Sequence, residues 1–286
     1  MALPELIAGE PDAAECDVEI ALGEVPHALT AASTRELDAE LSEREVLLNI
    51  PNVGRYHVRN GCNILVEAAP GVEAKDLRLF LLGSALGALY FQRRYFPLHA
   101  SVVVINDQAV AFTGDTGAGK STQAAWLNSN GFQLLCDDVC VIRFSDTGEA
   151  LAYPGFPRLK LWDDALAAFD IETSGLQRDY FRANKYHLAA KEGFGTEAVP
   201  LKHINILQYS NDDSPPRIEA VKPADAVHLL RNNTYRYQYI SGMGLTQSHF
   251  LDCAKLARST QVNYLTRARR LSSLPECQTL IEQQMQ

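Results

Sequence analysis

Nothing in this chain of 286 residues stays apolar for long enough to cross a bilayer. The longest candidate, residues 77–91, is too short and contains Arg78. The first residues, Met-Ala-Leu-Pro-Glu-Leu, show no basic stretch followed by an apolar one, so no secretory signal is expected there. Positive charge is in deficit: 26 Lys and Arg stand against 35 Asp and Glu, a net charge of −9. That balance argues against a non-specific binder of nucleic acid or of anionic membrane surfaces, while leaving room for a local basic pocket. Cysteine is sparse and scattered, at positions 16, 62, 136, 140, 253 and 277, with no C-x-x-C pair and no accompanying histidine cluster. A zinc site is therefore not expected. Cys136 and Cys140 fall in a strand-like run and read as small buried hydrophobes. These absences predict a reduced protein of the cytoplasm. No internal repeat, low-complexity tract or linker interrupts the chain.

What the chain does have is a complete phosphate-binding loop. Gly114, Asp115, Thr116, Gly117, Ala118, Gly119, Lys120, Ser121 and Thr122 follow the form G-x-x-x-x-G-K-[ST]. The three glycines let the backbone curl until several N–H groups point at one anion. Lys120 can reach the outer phosphates, and the Ser121 hydroxyl can hold Mg²⁺. A β-prone run, residues 109–113, leads into the loop, and residues 120–129 read as a helix whose positive end faces the same anion. That strand–loop–helix context predicts a nucleoside triphosphate site.

Around this centre the periodicities predict a mixed α/β chain. Residues 46–50 read as a strand. Residues 56–59 and 63–67 flank the hairpin signal Asn60-Gly61. Residues 74–94 read as one helix with a small-residue face. A second hairpin joins residues 101–105 and 109–113 through Asn106-Asp107, so the strand feeding the loop pairs with the strand before it. Strand character resumes over 132–136 and runs on through 139–144. Residues 163–200 give no clear pattern. A strand over 203–209, helices over 224–231 and 246–259, a last strand over 262–265 and a helix over 275–284 complete the reading. The expected organisation is an N-terminal β-rich lobe with its helix over 1–95, and a phosphate-loop core with a helical C-terminal region over 96–286.

Three groups near the loop could carry chemistry. Asp137 and Asp138 interrupt an apolar run, which is costly for two charges without a partner or a metal. At a strand end beside a phosphate loop, one carboxylate can hold Mg²⁺ and the other can take a proton from an attacking hydroxyl. His99 precedes the first strand of the hairpin and, by itself, reads as an ordinary histidine. In residues 153–162, Arg158 and Lys160 alternate with Leu159 and Leu161, so both cations share one side of an extended segment. That side is either a solvated face or a clamp on transferring phosphate.

The combined spacing resembles the HPr kinase/phosphorylase family, whose core is similar to that of phosphoenolpyruvate carboxykinase. The resemblance rests on three features: His99 fifteen residues before Gly114, the loop Gly-Asp-Thr-Gly-Ala-Gly-Lys-Ser, and the paired aspartates beginning seventeen residues after Lys120. It is strongest over residues 97–143. The segments Leu-Gly-Ser-Ala-Leu-Gly-Ala-Leu (82–89), Pro-Leu-His-Ala-Ser (97–101), Tyr-Pro-Gly-Phe-Pro-Arg (153–158) and Asn233-Thr234-Tyr235 are similar to a shorter branch of that family. This branch includes kinases that phosphorylate a serine of ribosomally made peptides such as lasso-peptide precursors.

The resemblance implies that His99, Lys120 and Asp137 surround the γ-phosphate of ATP, with Asp137 as general base and Ser121 and Asp138 near Mg²⁺. Two departures stand out. Thr122 replaces an acidic residue after the loop's Lys-Ser, and a Glu-Ile-Arg-Gly-Leu-Gly signature tied to the reverse reaction is absent. Arg158 and Lys185 are candidate substitutes for the family's downstream arginines. The expected activity is transfer of phosphate from ATP to a serine-type hydroxyl of a peptide or protein. A small-molecule hydroxyl kinase and a nucleotide-sensing module are the rivals. Neither nucleic acid nor membrane is an expected partner, and a homo-oligomer is compatible with the family.

Overall fold

A computed structural model describes residues 2–6, 17–35, 38–180, 182, 184–190 and 192–286. Cys16 lies outside the described residues. The chain is mixed α/β and divides into two compact units: Met1–Pro97 with Tyr235–Leu251, and Leu98–Thr234 with Asp252–Gln286.

The first unit is built on one sheet. Its strands are β1 (Glu19–Leu22), β2 (Thr34–Arg35), β3 (Ala39–Leu41), β4 (Glu45–Ile50), β5 (Gly54–Arg59) and β6 (Asn63–Ala68). They lie in the order β1-β6-β5-β4-β3-β2, antiparallel except for the parallel β1/β6 pair. The expected hairpin is present, and both Asn60 and Gly61 take positive φ, as the tight connection requires. Alternation sorts β4: Val46 and Leu48 enter the main core, while Leu47 packs with Val25 and Leu29 on the other face.

The expected helix over 74–94 is three consecutive segments. α1 (Ala74–Phe80) passes through a π turn (Leu81–Ala85) into α2 (Leu86–Gln92). Tyr235 explains the small residues there. A Cβ on Gly87 would stand 3.0 Å from its Cε1, and one on Gly83 would stand 3.1 Å from its hydroxyl. Arg236 Nη2 donates to Ser84 Oγ at 2.7 Å on the same face. The widened turn thus coincides with a packed aromatic ring.

β7 (Phe96–Leu98) carries the chain into the second unit. There β8 (Ser101–Ile105) and β9 (Gln108–Thr113) form the second expected hairpin, with Asn106 and Asp107 at positive φ. α3 (Lys120–Ser129) follows the loop and stops at Asn130 and Gly131, as the sequence predicts. Gln133–Cys136 forms β10 and pairs with β8.

Both expected strands over 132–136 and 139–144 form, but they are not one continuous strand. The chain breaks at Asp137-Asp138, with Asp138 at φ 75°, and restarts as β11 (Cys140–Phe144) beside β12 (Ala150–Tyr153). The two halves pair with different strands, so one continuous strand could not serve both. Cys136 and Cys140 are fully buried free thiols, as expected.

The segment that carried no clear pattern holds two strands of a small three-stranded sheet. β13 (Arg158–Trp162) leads into α4 (Asp163–Ala168), and β14 (Gln177–Arg178) and β15 (Lys185–Ala189) return beside it in the order β13-β15-β14. Leu159, Leu161 and Tyr186 pack under α3 with Leu127 and Leu134. Each such buried apolar side chain contributes roughly 1.5–3 kcal/mol.

The rest of the unit supplies β16 (Val199–Tyr209), β17 (Arg217–Ala220), α5 (Pro223–Asn232), the part of α6 (Thr246–Ser259) from Asp252 onward, β18 (Gln261–Arg267) and α7 (Leu274–Gln284). β16 lies between β9 and β18 and runs parallel to both. The carboxyl ends of these three strands, at Thr113, Tyr209 and Arg267, therefore share one edge of the sheet. That edge is where parallel sheets place ligands.

Candidate active site

The phosphate loop leaves β9 at that edge. Gly114, Gly117 and Gly119 all take φ between 88° and 132°, which is open to glycine and rarely to other residues. At Gly114 the close approach is an added reason, since a Cβ would meet the Leu207 carbonyl oxygen at 2.9 Å. Asp115, Thr116 and Gly117 form the exposed tip, and Ala118 and Thr122 turn inward. Ser121 is partly exposed on the first turn of α3.

Lys120 is only 8 % exposed. Its Nζ donates to the carbonyls of Gly114 at 2.9 Å and Asp115 at 3.1 Å, so the side chain folds across its own loop. Burial pushes its pKa down and Lys185 adds to that push, while Asp138 and Asp137 oppose it.

The two aspartates are held in different ways. Asp137 Oδ1 accepts a hydrogen bond from Ser101 Oγ at 2.5 Å, and Oδ2 accepts one from the Lys160 backbone N–H at 2.7 Å. This carboxylate is fixed by β8 and β13 together, with about two of its four lone-pair sites left over. Asp138 Oδ2 instead takes Lys160 Nζ at 2.5 Å, with its side chain 24 % exposed. Burial alone would raise the Asp138 pKa. Lys160, then His99 and Lys185, overcome burial and hold this carboxyl well below the usual carboxylate range.

His99 Nδ1 lies 2.7 Å from the Asp138 carbonyl oxygen and 3.6 Å from its Oδ1. A carbonyl can only accept, so Nδ1 carries the proton and Nε2 is the acceptor nitrogen of the neutral ring. Burial is the main cause that lowers the His99 pKa, which favours that neutral form near neutral pH. The residue is itself anchored: its N–H donates to Asn233 O at 2.8 Å and its carbonyl accepts from Thr113 Oγ1 at 2.8 Å. His99 thereby supports the left-handed backbone of Asp138, a conformation that costs energy outside glycine.

Lys160 and Lys185 reach the site from neighbouring strands of the small sheet. Cross-strand pairs are Lys160 with His187 and Trp162 with Lys185. One face of that sheet is apolar and packed; the other carries Arg158, Lys160, Lys185 and His187. Burial lowers the Lys185 pKa, opposed first by Asp137 and then by Asp138. Arg158 lies on the same face, two residues from Lys160, and its charge acts on His187.

The structure therefore gathers His99, Lys120, Asp137, Asp138, Lys160 and Lys185, and sets Arg158 beside them. Ser101 was missed by sequence reasoning. Its place two residues after His99 and opposite the loop-feeding strand was the available signal. Nothing in the sequence singled out Arg267, which β18 delivers to the loop from a segment far along the chain.

Among the described residues, no group of three His, Cys, Asp or Glu side chains is placed to hold a metal ion alone. Ser121 and Asp138 offer hard oxygen donors of the kind Mg²⁺ prefers, and Mg²⁺ commonly completes its shell with phosphate and water. Among the described residues, no helix is long and apolar enough to cross a membrane.

No family model matches this chain and no curated protein matches it. Among solved structures it is similar to the Hpr(Ser) kinase/phosphatase from Coxiella burnetii, at 14% identity and a TM-score of 0.33, covering 66% of this chain and 90% of that one. The roles of the site residues rest on their own geometry.

Proposed function

We propose that this protein is a Mg²⁺-dependent kinase that moves the γ-phosphate of ATP to a serine-type hydroxyl of a peptide or protein. The observation that carries the reading is the convergence of Lys120, His99 and the two differently held aspartates beside one phosphate loop. A loop that only bound nucleotide would not need a fixed carboxylate next to its lysine.

The division of labour follows from the contacts. Asp138 is a weak base, because Lys160 and His99 stabilise its anion. It suits holding positive charge, and with Ser121 it would hold Mg²⁺, which supplies charge neutralisation for the phosphates. Asp137 is oriented by Ser101 and Lys160 and keeps lone pairs for a substrate hydroxyl proton. Lys120, with Lys185 nearby, offers positive charge where negative charge grows during transfer. Catalysis of this kind is mostly positioning and electrostatics.

The test is mass spectrometry of candidate acceptors after incubation with Mg·ATP: a serine-containing precursor peptide encoded beside this gene, free serine, and HPr. A gain of one phosphate on the peptide, lost in Asp137→Asn, supports the reading and locates the acceptor. Labelling of free serine alone would move the assignment to a small-molecule kinase. No labelling of any acceptor, with tight ATP binding, would overturn the kinase claim in favour of nucleotide sensing.

A further inference from the structure

Arg267 ends β18 at the sheet edge that carries the phosphate loop, and it is only 2 % exposed. Among the described residues its hydrogen bonds are long and come from Nη1: 3.4 Å to Ala268 O, 3.3 Å to Arg270 O and 3.4 Å to Ser273 Oγ. Nε is buried and has no hydrogen-bond partner among the described residues. The guanidinium enters no ion pair with a carboxylate among the described residues, while its neighbour Arg270 pairs with Asp213. A cation taken out of water without a counter-charge is costly, and such groups persist where something else supplies the charge.

The direction in which it points identifies that charge. A Cβ on Gly119 would stand 2.5 Å from Arg267 Nη2, so the guanidinium lies directly against the last glycine of the loop. The plane is steadied by Tyr209, whose ring centroid is 5.1 Å from the Arg267 Cζ and whose hydroxyl donates to Gly117 O at 3.3 Å. Arg269 approaches the same ring at 5.4 Å. The ends of β16 and β18 thus build one wall of the loop from Tyr209 and Arg267, with Arg269 just beyond β18. Asp137 and Asp138 lie elsewhere, in the break between β10 and β11.

We infer that Arg267 is a phosphate-binding residue that clamps the oligophosphate of the nucleotide against the loop, with Tyr209 holding its planar fork in place. This deepens the kinase reading and rests on it. A flat guanidinium can offer two N–H groups to phosphate oxygens, which a lysine cannot match. The shared ligand chemistry is an oligophosphate anion, whether part of ATP or free.

Isothermal titration of the wild type, Arg267→Gln and Arg267→Lys with Mg·ATP, inorganic tripolyphosphate and orthophosphate tests it. Arg267→Gln should weaken ATP and tripolyphosphate alike by about tenfold or more. Its ligand-free melting temperature should not fall, because an uncompensated buried charge is removed. A purely structural arginine would show the reverse, a lower melting temperature with unchanged affinity, and that result overturns the inference. Should Arg267→Gln fail to fold, Arg267→Lys decides: a loss of at least about threefold supports the clamp, and unchanged tripolyphosphate affinity removes it. Tight binding of orthophosphate alone would also overturn the nucleotide assignment. Failure of the kinase reading looks different, because phosphate transfer would then be absent while the Arg267 variants still lose tripolyphosphate.

Discussion

The two units bury different kinds of interior. The core of the first is nearly all apolar, built on Val46, Leu48, Val58, Ile64, Leu81 and Leu89, and among the described residues its buried polar ones are His57, Ser84 and His249. The second also has a full apolar core, around Phe112, Leu127, Leu134 and Leu161. Yet it buries Lys120 and Arg267 as well, and the amide of Gln123 has no hydrogen-bond partner among the described residues. It also holds Asp138 in a left-handed backbone beside two lysines. The first interior is what folding by itself selects. The second also buries charged side chains, which are costly unless something compensates them.

The largest expected effect that would break this comparison is in the second unit. Lys120→Ala should lower phosphate transfer by about a thousandfold or more, measured by acceptor labelling, while circular dichroism stays native. Near-normal transfer would mean that the loop lysine is only packing. Next, Asp137→Asn should cost about 10²- to 10⁴-fold in turnover and leave ATP affinity within a few-fold. A collapse of affinity instead would exchange the roles of Asp137 and Asp138.

In the first unit the opposite pattern is expected. Leu48→Ala should destabilise by about 2–5 kcal/mol in denaturant titration, with nucleotide affinity of the folded protein unchanged.

A pH series sharpens the contrast further. Burial is the main cause that lowers the pKa of His57 in the first unit and of His99, His187 and His203 in the second. Unfolded histidines bind protons below about pH 6.5, while these stay neutral to lower pH. Their contribution is complete above that value and is lost as pH falls below it toward the folded values. Hydrogen exchange at about pH 7.5 and 5.5 should show a greater loss of protection in the second unit, which holds three of the four. Equal losses would end this part of the contrast. The smallest effect is Tyr56→Phe, which removes the buried hydroxyl bond to Leu77 O and should cost about 1 kcal/mol in thermal or chemical unfolding.

Much of the fold was legible because its signals are local. Asn60-Gly61 and Asn106-Asp107 mark turns by their own backbone preferences, and both hairpins form there. The loop and its helix need only nearby residues to specify them. The break at Asp137-Asp138 was hidden, because an apolar run of this composition reads as one strand until its two halves find different partners. Residues 163–200 stayed opaque for a related reason: β14 is two residues long and takes its meaning from pairing with β15. The assignment of residues 235–251 to the first unit likewise follows from packing, through Tyr235 against Gly83 and Gly87.

The sequence by itself determined a phosphate loop, the two hairpins, most of the helices and the identity of two acids and a histidine worth watching. Backbone conformation and short-range periodicity suffice for those. Tertiary structure alone decided which acid is tied to Ser101 and which to the Lys160 ammonium. It alone brought Lys185 beside Lys160 across β13 and β15, and set Arg267 against Gly119. These are meetings between residues far apart in the chain. Electrostatics and hydrogen bonding depend on distance in space, which local sequence does not encode.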